Sequence, residues 1–308
     1  MRVLVTGAGG NLGRCAVPVL EREGHELRLL DFRRLDTDHE LVEGDVRDRD
    51  TVARAVAGMD AVVHGAALHG IHLDTWSPDD FWSINVDGTF NVYRAAQAAG
   101  VERLVLASSM AVYGVGAGER DRWAVVPEDA PPRPRDLYGL TKTLAEDTAR
   151  FYADTHEMTT VGLRLGMFVP ETFERYGFRL LFGGVDDRDV GEAVALSLVH
   201  QPEERFATFN IMADNGLTLA DIDGLDTDLA GTLDRHWPGT SDLVSERGAD
   251  LQDLVWGGAL YRVDRGREEL GYRPRYDFAA FLEAWRRGDT EHYPFAEHDW
   301  WGAPRPTH

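Results

Sequence analysis

The feature that most limits the fold is the junction at residues 3–22. An apolar run, Val3–Thr6, leads directly into Thr6-Gly7-Ala8-Gly9-Gly10-Asn11-Leu12-Gly13, and an amphipathic pattern then runs from Asn11 to about Arg22. A strand that turns on glycines into a helix is half of a βαβ unit, and such units build parallel sheets covered on both faces. The first half of the chain keeps the alternation. Glu26–Asp31, Leu41–Gly44, Asp60–Gly65, Arg103–Ser108 and Thr160–Leu165 read as strands. Helices are expected over about Asp79–Ala99, closed by Gly100, and over Leu137–His156. The fold class predicted is α/β with a doubly wound parallel sheet. A loop rich in Gly, Pro and charge is expected between Gly114 and Pro134, at the carboxyl edge where open α/β sheets bind ligands. After Pro170 the alternation weakens. Asp187–His200 still reads as helix and Phe206–Ile211 as strand, and from Thr218 helices and loops mix.

Charge narrows the partners. The formal net charge is −21, which repels nucleic-acid phosphates and anionic membrane surfaces. No apolar run reaches the ~18 residues a membrane span needs. No leader pattern precedes the first strand, and Cys15 is the chain's single cysteine. A reducing cytoplasm is therefore the expected location. Of the 32 basic residues, 31 are arginine and one is lysine, Lys142. The acidic, lysine-poor composition fits genome bias or a high-salt cytoplasm equally. A chain that avoids lysine elsewhere singles out Lys142 as a place that needs an ammonium.

Gly7, Gly10 and Gly13 fit the spacing G-x-x-G-x-x-G. The stricter G-x-G-x-x-G fails, because it would put its last glycine at Leu12. Either spacing gives a tight turn and free N–H groups at a helix N-terminus, the cradle for a dinucleotide pyrophosphate. Asp31 stands 18 residues beyond Gly13, at the end of the second strand. A carboxylate there accepts the adenosine ribose hydroxyls and repels a 2′-phosphate, which favours NAD. Arg33 and Arg34 follow, and either can hold that phosphate or simply face water, so NADP stays open. Asp45 and Val46 can flank the adenine, or cap the helix that starts near Asp48. Past the fifth strand, Ser108-Ser109-Met110-Ala111-Val112-Tyr113-Gly114 brings hydroxyls to the crevice. Tyr138 and Lys142, at i and i+4, share one helix face. For a tyrosine to act as a base near neutrality its pKa must fall by about three units, ~4 kcal/mol of differential stabilisation. A neighbouring ammonium and a nicotinamide cation each supply part of it.

Together these residues resemble the extended short-chain dehydrogenase/reductases, the NAD-dependent epimerase/dehydratase group, over most of residues 1–200. His64-Gly65-Ala66-Ala67, Asn85, Arg164, Val185-Asp186-Asp187 and Glu269–Pro274 match as well. The resemblance implies a Rossmann NAD(P)-binding domain from residues 1–165 and about 186–212. It also implies a smaller mixed substrate domain from about 166–185 and 213–308. Ser109 matches the catalytic serine, Tyr138 the general base, and Lys142 the lysine that holds the nicotinamide ribose and lowers the tyrosine's pKa. The cofactor contacts implied are Gly7, Gly10, Asn11, Leu12, Gly13, Asp31, Arg33, Asp45, Val46, Ala66, Ala67, Asn85, Tyr138 and Lys142. Substrate is expected at His69, Ser109, Met110, Tyr138, Arg164, Met167 and Phe168, with His72 a further candidate. No metal site is expected. The group also implies a homodimer or higher homo-oligomer through the helices at about 79–99 and 137–156.

Two departures narrow the group. Its 4,6-dehydratases carry Asp-Glu after the serine, where this chain has Met110 and Ala111, which cannot titrate. Nucleotide-sugar members have a long segment before the Val-Asp-Asp stretch, and here only 15 residues separate Pro170 from Asp186. The pattern is similar to the compact uronate and aldose 1-dehydrogenases, which oxidise a free cyclic sugar to a lactone. A nucleotide-sugar 4-epimerase, with residues 213–290 as a substitute clamp, is the alternative. A non-catalytic NAD(P) sensor is the third reading. Trp76 and Trp82 are expected to pack, and Trp300 and Trp301 to dock on a partner subunit or be disordered. Trp256 is left unplaced.

Overall fold

A computed structural model describes residues 1–115, 123–255 and 258–299. The expectations for Trp256, Trp300 and Trp301 lie outside the described residues. Seven parallel strands form the main sheet, in the order β3-β2-β1-β4-β5-β7-β8. They are β1 (Arg2–Thr6), β2 (Glu26–Asp31), β3 (Glu40–Glu43), β4 (Ala61–His64), β5 (Arg103–Ser109), β7 (Thr159–Leu165) and β8 (Phe206–Ile211). A short β6 (Ala124–Val126) lies inside the expected 114–134 loop and pairs in parallel with β9 (Ala259–Tyr261). The order turns back on either side of β1 and β4, which opens a crevice at the strands' carboxyl ends.

The central strands are apolar throughout, as a sheet covered on both faces requires. Val3 and Val5 pack with α1 (Asn11–Arg22) and α7 (Asp187–Val199) on one face. Leu4 packs with α2 (Arg49–Val56), α4 (Gly88–Ala98) and α5 (Leu137–His156) on the other. A separate apolar cluster joins α6 (Phe173–Arg179) to α8 (Ile222–Thr227), α9 (Leu229–His236), α10 (Thr240–Glu246), α11 (Leu251–Leu254) and α12 (Phe278–Arg287). Phe281 and Trp285 fill its centre.

Caps differ in a way that matters. Asp48 and Asp136 cap α2 and α5 by accepting backbone N–H bonds in the first turn. The first turn of α1 has neither a side-chain cap nor an acidic residue. Its N–H groups are left facing the crevice.

One element corrects its expectation. The helix expected over 79–99 is α3 (Pro78–Phe81), then a wide π turn over Trp82–Asp87, then α4. π turns mark places where a helix is re-aimed for a side chain. Here the turn carries Asn85, which is tied to the backbone of Leu68 and to Thr141. Trp82, expected to pack, is half exposed, whereas Trp76 borders the crevice.

Candidate active site

At the nucleotide end, the turn between β1 and α1 is closed by glycine geometry. Gly7 has φ +67°, and a methyl group on it would lie 2.7 Å from Ala66 backbone atoms. A methyl on Gly13 would lie 2.0 Å from the Ala8 carbonyl oxygen. Gly13 therefore serves the close packing of α1 on its own turn. Its side of the helix is turned away from both crevice spaces, while its N–H belongs to the open first turn of α1. Gly7, Gly10, Asp31, Arg33, Asp45, Val46, Ala66 and Ala67 line a cavity of about 410 Å³. Asp31 is buried and points its carboxylate inward. Its Oδ2 accepts from Gly9 N at 2.9 Å, and its Oδ1 accepts from Arg33 N at 2.9 Å and Arg33 Nε at 3.1 Å. Asp45 accepts from Arg47, so its carboxylate is shared with a neighbouring cation before any ligand arrives.

The residues present fit a dinucleotide. The α1 N-terminus offers unpaired N–H groups, the glycine cradle would be filled by a single Cβ, and the Asn11 Oδ1 is buried without a partner. Beneath the turn, His64 bridges Thr6 and Thr89 at 2.8 and 2.9 Å. Burial, then the Lys142 charge, push its pKa down to about 3, so it is a neutral strut.

Next along the crevice, a narrower space of about 120 Å³ is lined by Asn11, Leu12, Ala67, His69, Ser109, Tyr138, Lys142 and Phe168. The Ser109 hydroxyl accepts from Ala111 N at 3.2 Å and lies on the same space as the Tyr138 phenol. Lys142 Nζ donates to the Ala107 carbonyl at 2.7 Å and stands 5.8 Å from the centre of the Tyr138 ring. Burial raises the Tyr138 pKa well above its ordinary value, and Ser109 acts to lower it. Burial also lowers the Lys142 ammonium to about 8, with Glu146 opposing. A phenolate here needs positive charge close by, and Lys142 supplies it.

Beyond Tyr138 the crevice widens to about 470 Å³. His69, Ile71, Ser109, Met110, Ala111, Val115, Arg135, Tyr138 and Met167 line it. The His69 ring lies 4.9 Å from that of Tyr138. Its Nδ1 accepts from Ile71 N at 3.3 Å, which leaves the proton on Nε2. Burial, helped by His72 and Lys142, holds its pKa down near 3. His69 is a neutral donor fixed beside the tyrosine. His72 accepts from His69 N and borders the nucleotide-side spaces, away from this cavity.

Three expected ligand contacts are placed elsewhere. Arg164 is 5% exposed and donates to both oxygens of Glu146 and to the Tyr113 hydroxyl. A guanidinium so engaged has no face toward the cavity, and its charge is matched from within the fold. Asn85 is 2% exposed, and its amide is spent on Leu68 and Thr141. It ties the loop at Leu68 to Thr141 of α5. Phe168 borders the narrow space next to Tyr138 and Lys142 instead of the wide cavity. Ile71 and Val115 were not singled out by sequence, and Ala111 only as a position that cannot titrate. Only their adjacency to His69, Met110 and Gly114 signalled them.

Among the described residues, no group of three His, Cys, Asp or Glu side chains is placed to hold a metal. No helix among them is long and apolar enough to cross a membrane.

The glycine turn on α1 thus stands at one end of the crevice, with Ser109, Tyr138 and Lys142 next along it. A family model described as "NAD dependent epimerase/dehydratase family" matches residues 3–176, more than half of the chain, and the chain belongs to that family. It is 35% identical to a uronate dehydrogenase of Pseudomonas syringae pv. tomato, over 56% of this chain and 62% of that one. It is 36% identical to an L-arabinose 1-dehydrogenase (NAD(P)(+)) of Haloferax volcanii, over 54% of this chain and 66% of that one. The matched stretch thus spans just under two thirds of these relatives. The crystal structure of a uronate dehydrogenase from Agrobacterium tumefaciens superposes with a TM-score of 0.65 at 25% identity, covering 99% of this chain and 91% of that one. UDP-glucose 4-epimerases are among the other matches.

Proposed function

We propose that this protein oxidises a small free cyclic sugar, an aldose or a uronate, at C1 to a lactone, with NAD(P) as oxidant. One observation carries the reading. Ser109, Tyr138 and His69 face both the narrow nicotinamide-side space and a cavity whose volume suits a single sugar ring. The short stretch between Pro170 and Asp186 folds as α6 against the C-terminal apolar cluster, leaving no long segment to grip a nucleoside diphosphate.

Bound NAD(P) would supply the hydride acceptor. Gly7, Gly10, Asn11 and Leu12 would hold its pyrophosphate on the α1 N-terminus, and Asp31 its adenosine ribose. The protein does the rest. Ser109 orients the C1 hydroxyl, and Tyr138 as phenolate takes its proton while the C1 hydrogen leaves as hydride. Lys142 keeps the phenolate accessible. His69 Nε2–H donates to a neighbouring sugar oxygen, with Met110 and Met167 as apolar walls.

Asp31 favours NAD, and Arg33, already at the rim, gives NADP a phosphate partner. The substrate domain would comprise about 166–185 and 213–308. A homodimer would form through α4 and α5, whose outer faces expose Phe90 and Phe151 around Tyr152. The single buried Cys15 suits a reducing cytoplasm.

The test is a panel of free aldoses, uronates and nucleotide sugars with NAD and NADP, read by reduced nicotinamide and by product NMR. Reduction by a free sugar with lactone formation is the expected result. Epimerised nucleotide sugar without net reduction would establish the epimerase instead. Coenzyme binding without turnover on the whole panel would mean a sensor.

A further inference from the structure

Three consecutive residues of β5 each address a different residue of α5. The Ala107 carbonyl accepts from Lys142 Nζ at 2.7 Å, the Ser108 hydroxyl donates to Glu146 Oε1 at 2.6 Å, and Ser109 faces the same crevice spaces as Tyr138. Positions 138, 142 and 146 are successive turns of one helix face. The strand and the helix therefore meet like a ladder with three rungs, and two of those rungs are the catalytic tyrosine and lysine.

The third rung is reinforced from the other side. Arg164 sits opposite Ser108 in the β5–β7 register, and donates to Glu146 Oε1 at 2.9 Å and Oε2 at 2.8 Å. Its remaining nitrogen is anchored on the Tyr113 hydroxyl and the Glu128 carbonyl. Ser108, Glu146 and Arg164 are all at most 5% exposed. A buried ion pair of this kind adds little stability over well-packed apolar residues of the same size. Its presence calls for another reason, and the ladder supplies one.

We propose that Glu146, clamped by Ser108 and Arg164, is a positioning residue that fixes the register of α5 on β5 and keeps Lys142 charged beneath the reacting oxygen. This rests on Tyr138 and Lys142 being the proton-handling pair. The groups facing Lys142 support the assignment. Tyr138 and Glu146 face it from its own helix, His64 from β4 and His69 from the following loop, and Arg164 lies beyond Glu146 on β7. Both histidines are neutral, and the Arg164 charge is spent on Glu146. The carboxylate of Glu146 is the anion acting on Lys142.

Lys142 is the chain's only lysine, so its charge can be read directly. Protein labelled with ¹³C at the lysine ε-carbon gives one lysine signal, and its pH titration reports that amine alone. The wild-type signal is expected to be that of an ammonium at pH 7. In Glu146→Gln its midpoint is expected to fall by about one unit, a typical effect of losing one adjacent charge. The alkaline limb of the turnover profile should fall with it. Glu146→Asp, which keeps the charge but shortens the reach, should leave the midpoint near that of the wild type while turnover drops. A wild-type signal from a neutral amine at pH 7 overturns the proposal without any variant. So does an unmoved midpoint in Glu146→Gln. Full turnover in Lys142→Met would instead remove the reading of the site on which the proposal rests.

Discussion

At the end of the crevice proposed for the nucleotide, backbone supplies a large share of the lining: the turn of Gly7 to Gly10, the open N-terminus of α1, and Ala66 and Ala67 past β4, beside the side chains of Asp31, Arg33 and Val46. At the end proposed for the sugar, the lining draws on side chains from separate stretches of the chain: His69, Met110, Tyr138 and Met167. The turn leaves little room for change, because a methyl group at Gly7 or Gly13 collides with backbone. Side-chain recognition is adjustable one residue at a time. Binding of the common ligand and choice of the variable one are thus carried by different kinds of atoms.

The largest expected effect tests where the two ends meet. Tyr138→Phe removes the proton acceptor without altering the shape, and turnover should fall by about a thousandfold. The dissociation constant for reduced coenzyme, measured by fluorescence, should stay within a few-fold of wild type. A variant that keeps a tenth or more of the activity would show that Tyr138 is not the base. Gly7→Ala comes next. The new methyl would meet the Ala66 backbone from a φ of +67°, a strain of about 1–3 kcal/mol. Coenzyme affinity by calorimetry should drop about tenfold or more, while circular dichroism keeps the wild-type pattern. Unchanged affinity would break the contrast between the ends. Met167→Ala is expected to be milder and one-sided. The KM for the sugar should rise about tenfold and the preference among sugars should shift, with coenzyme affinity untouched.

The smallest effect lies beneath the nucleotide end. His64 is 3% exposed, and its folded pKa, about 3, is below the ordinary value of 6.5. Between those values the unfolded chain binds the extra proton, so this group's contribution is whole above pH 6.5 and is lost as pH falls toward 3. The slope is on the order of 1 kcal/mol per pH unit. Asp189, pushed up to about 6 by burial, works the other way between 3.8 and 6. Thermal midpoints should therefore begin to fall just below pH 6.5, where His64 and His69, both held down near 3, act before Asp189 does. His64→Gln should shrink that first step by about half, His69 keeping the rest, and a wild-type midpoint that holds constant from pH 7 to 6 would contradict it.

How far the sequence could be read follows from the same contrast. The β1–turn–α1 junction, the end of β2 at Asp31 and the Tyr138–Lys142 pair are local patterns, set by neighbours a few residues away, and all three stand where the pattern put them. α5 runs over Leu137–His156, the range its periodicity gives. Arg164 and Asn85 were misjudged because residue type and place in the chain do not reveal where a side chain turns. The ion pair with Glu146 and the amide bonds to Leu68 exist only once β7, α5 and the π turn are assembled. The π turn was hidden for a similar reason, since its residues continue the helical pattern and only the tertiary bond of Asn85 widens it. The walls contributed by Ile71 and Val115 carry no chemistry that a motif could register.

The solitary lysine also has a practical side. Apart from a terminal α-amine, acylating reagents have one side-chain target in this protein, and that target is 7% exposed. Its modification rate then counts how often the crevice breathes open. Occupancy by coenzyme would be visible as a slowing of that clock, and random amine coupling to a surface would tether the molecule by its terminus and leave the catalytic pocket unblocked.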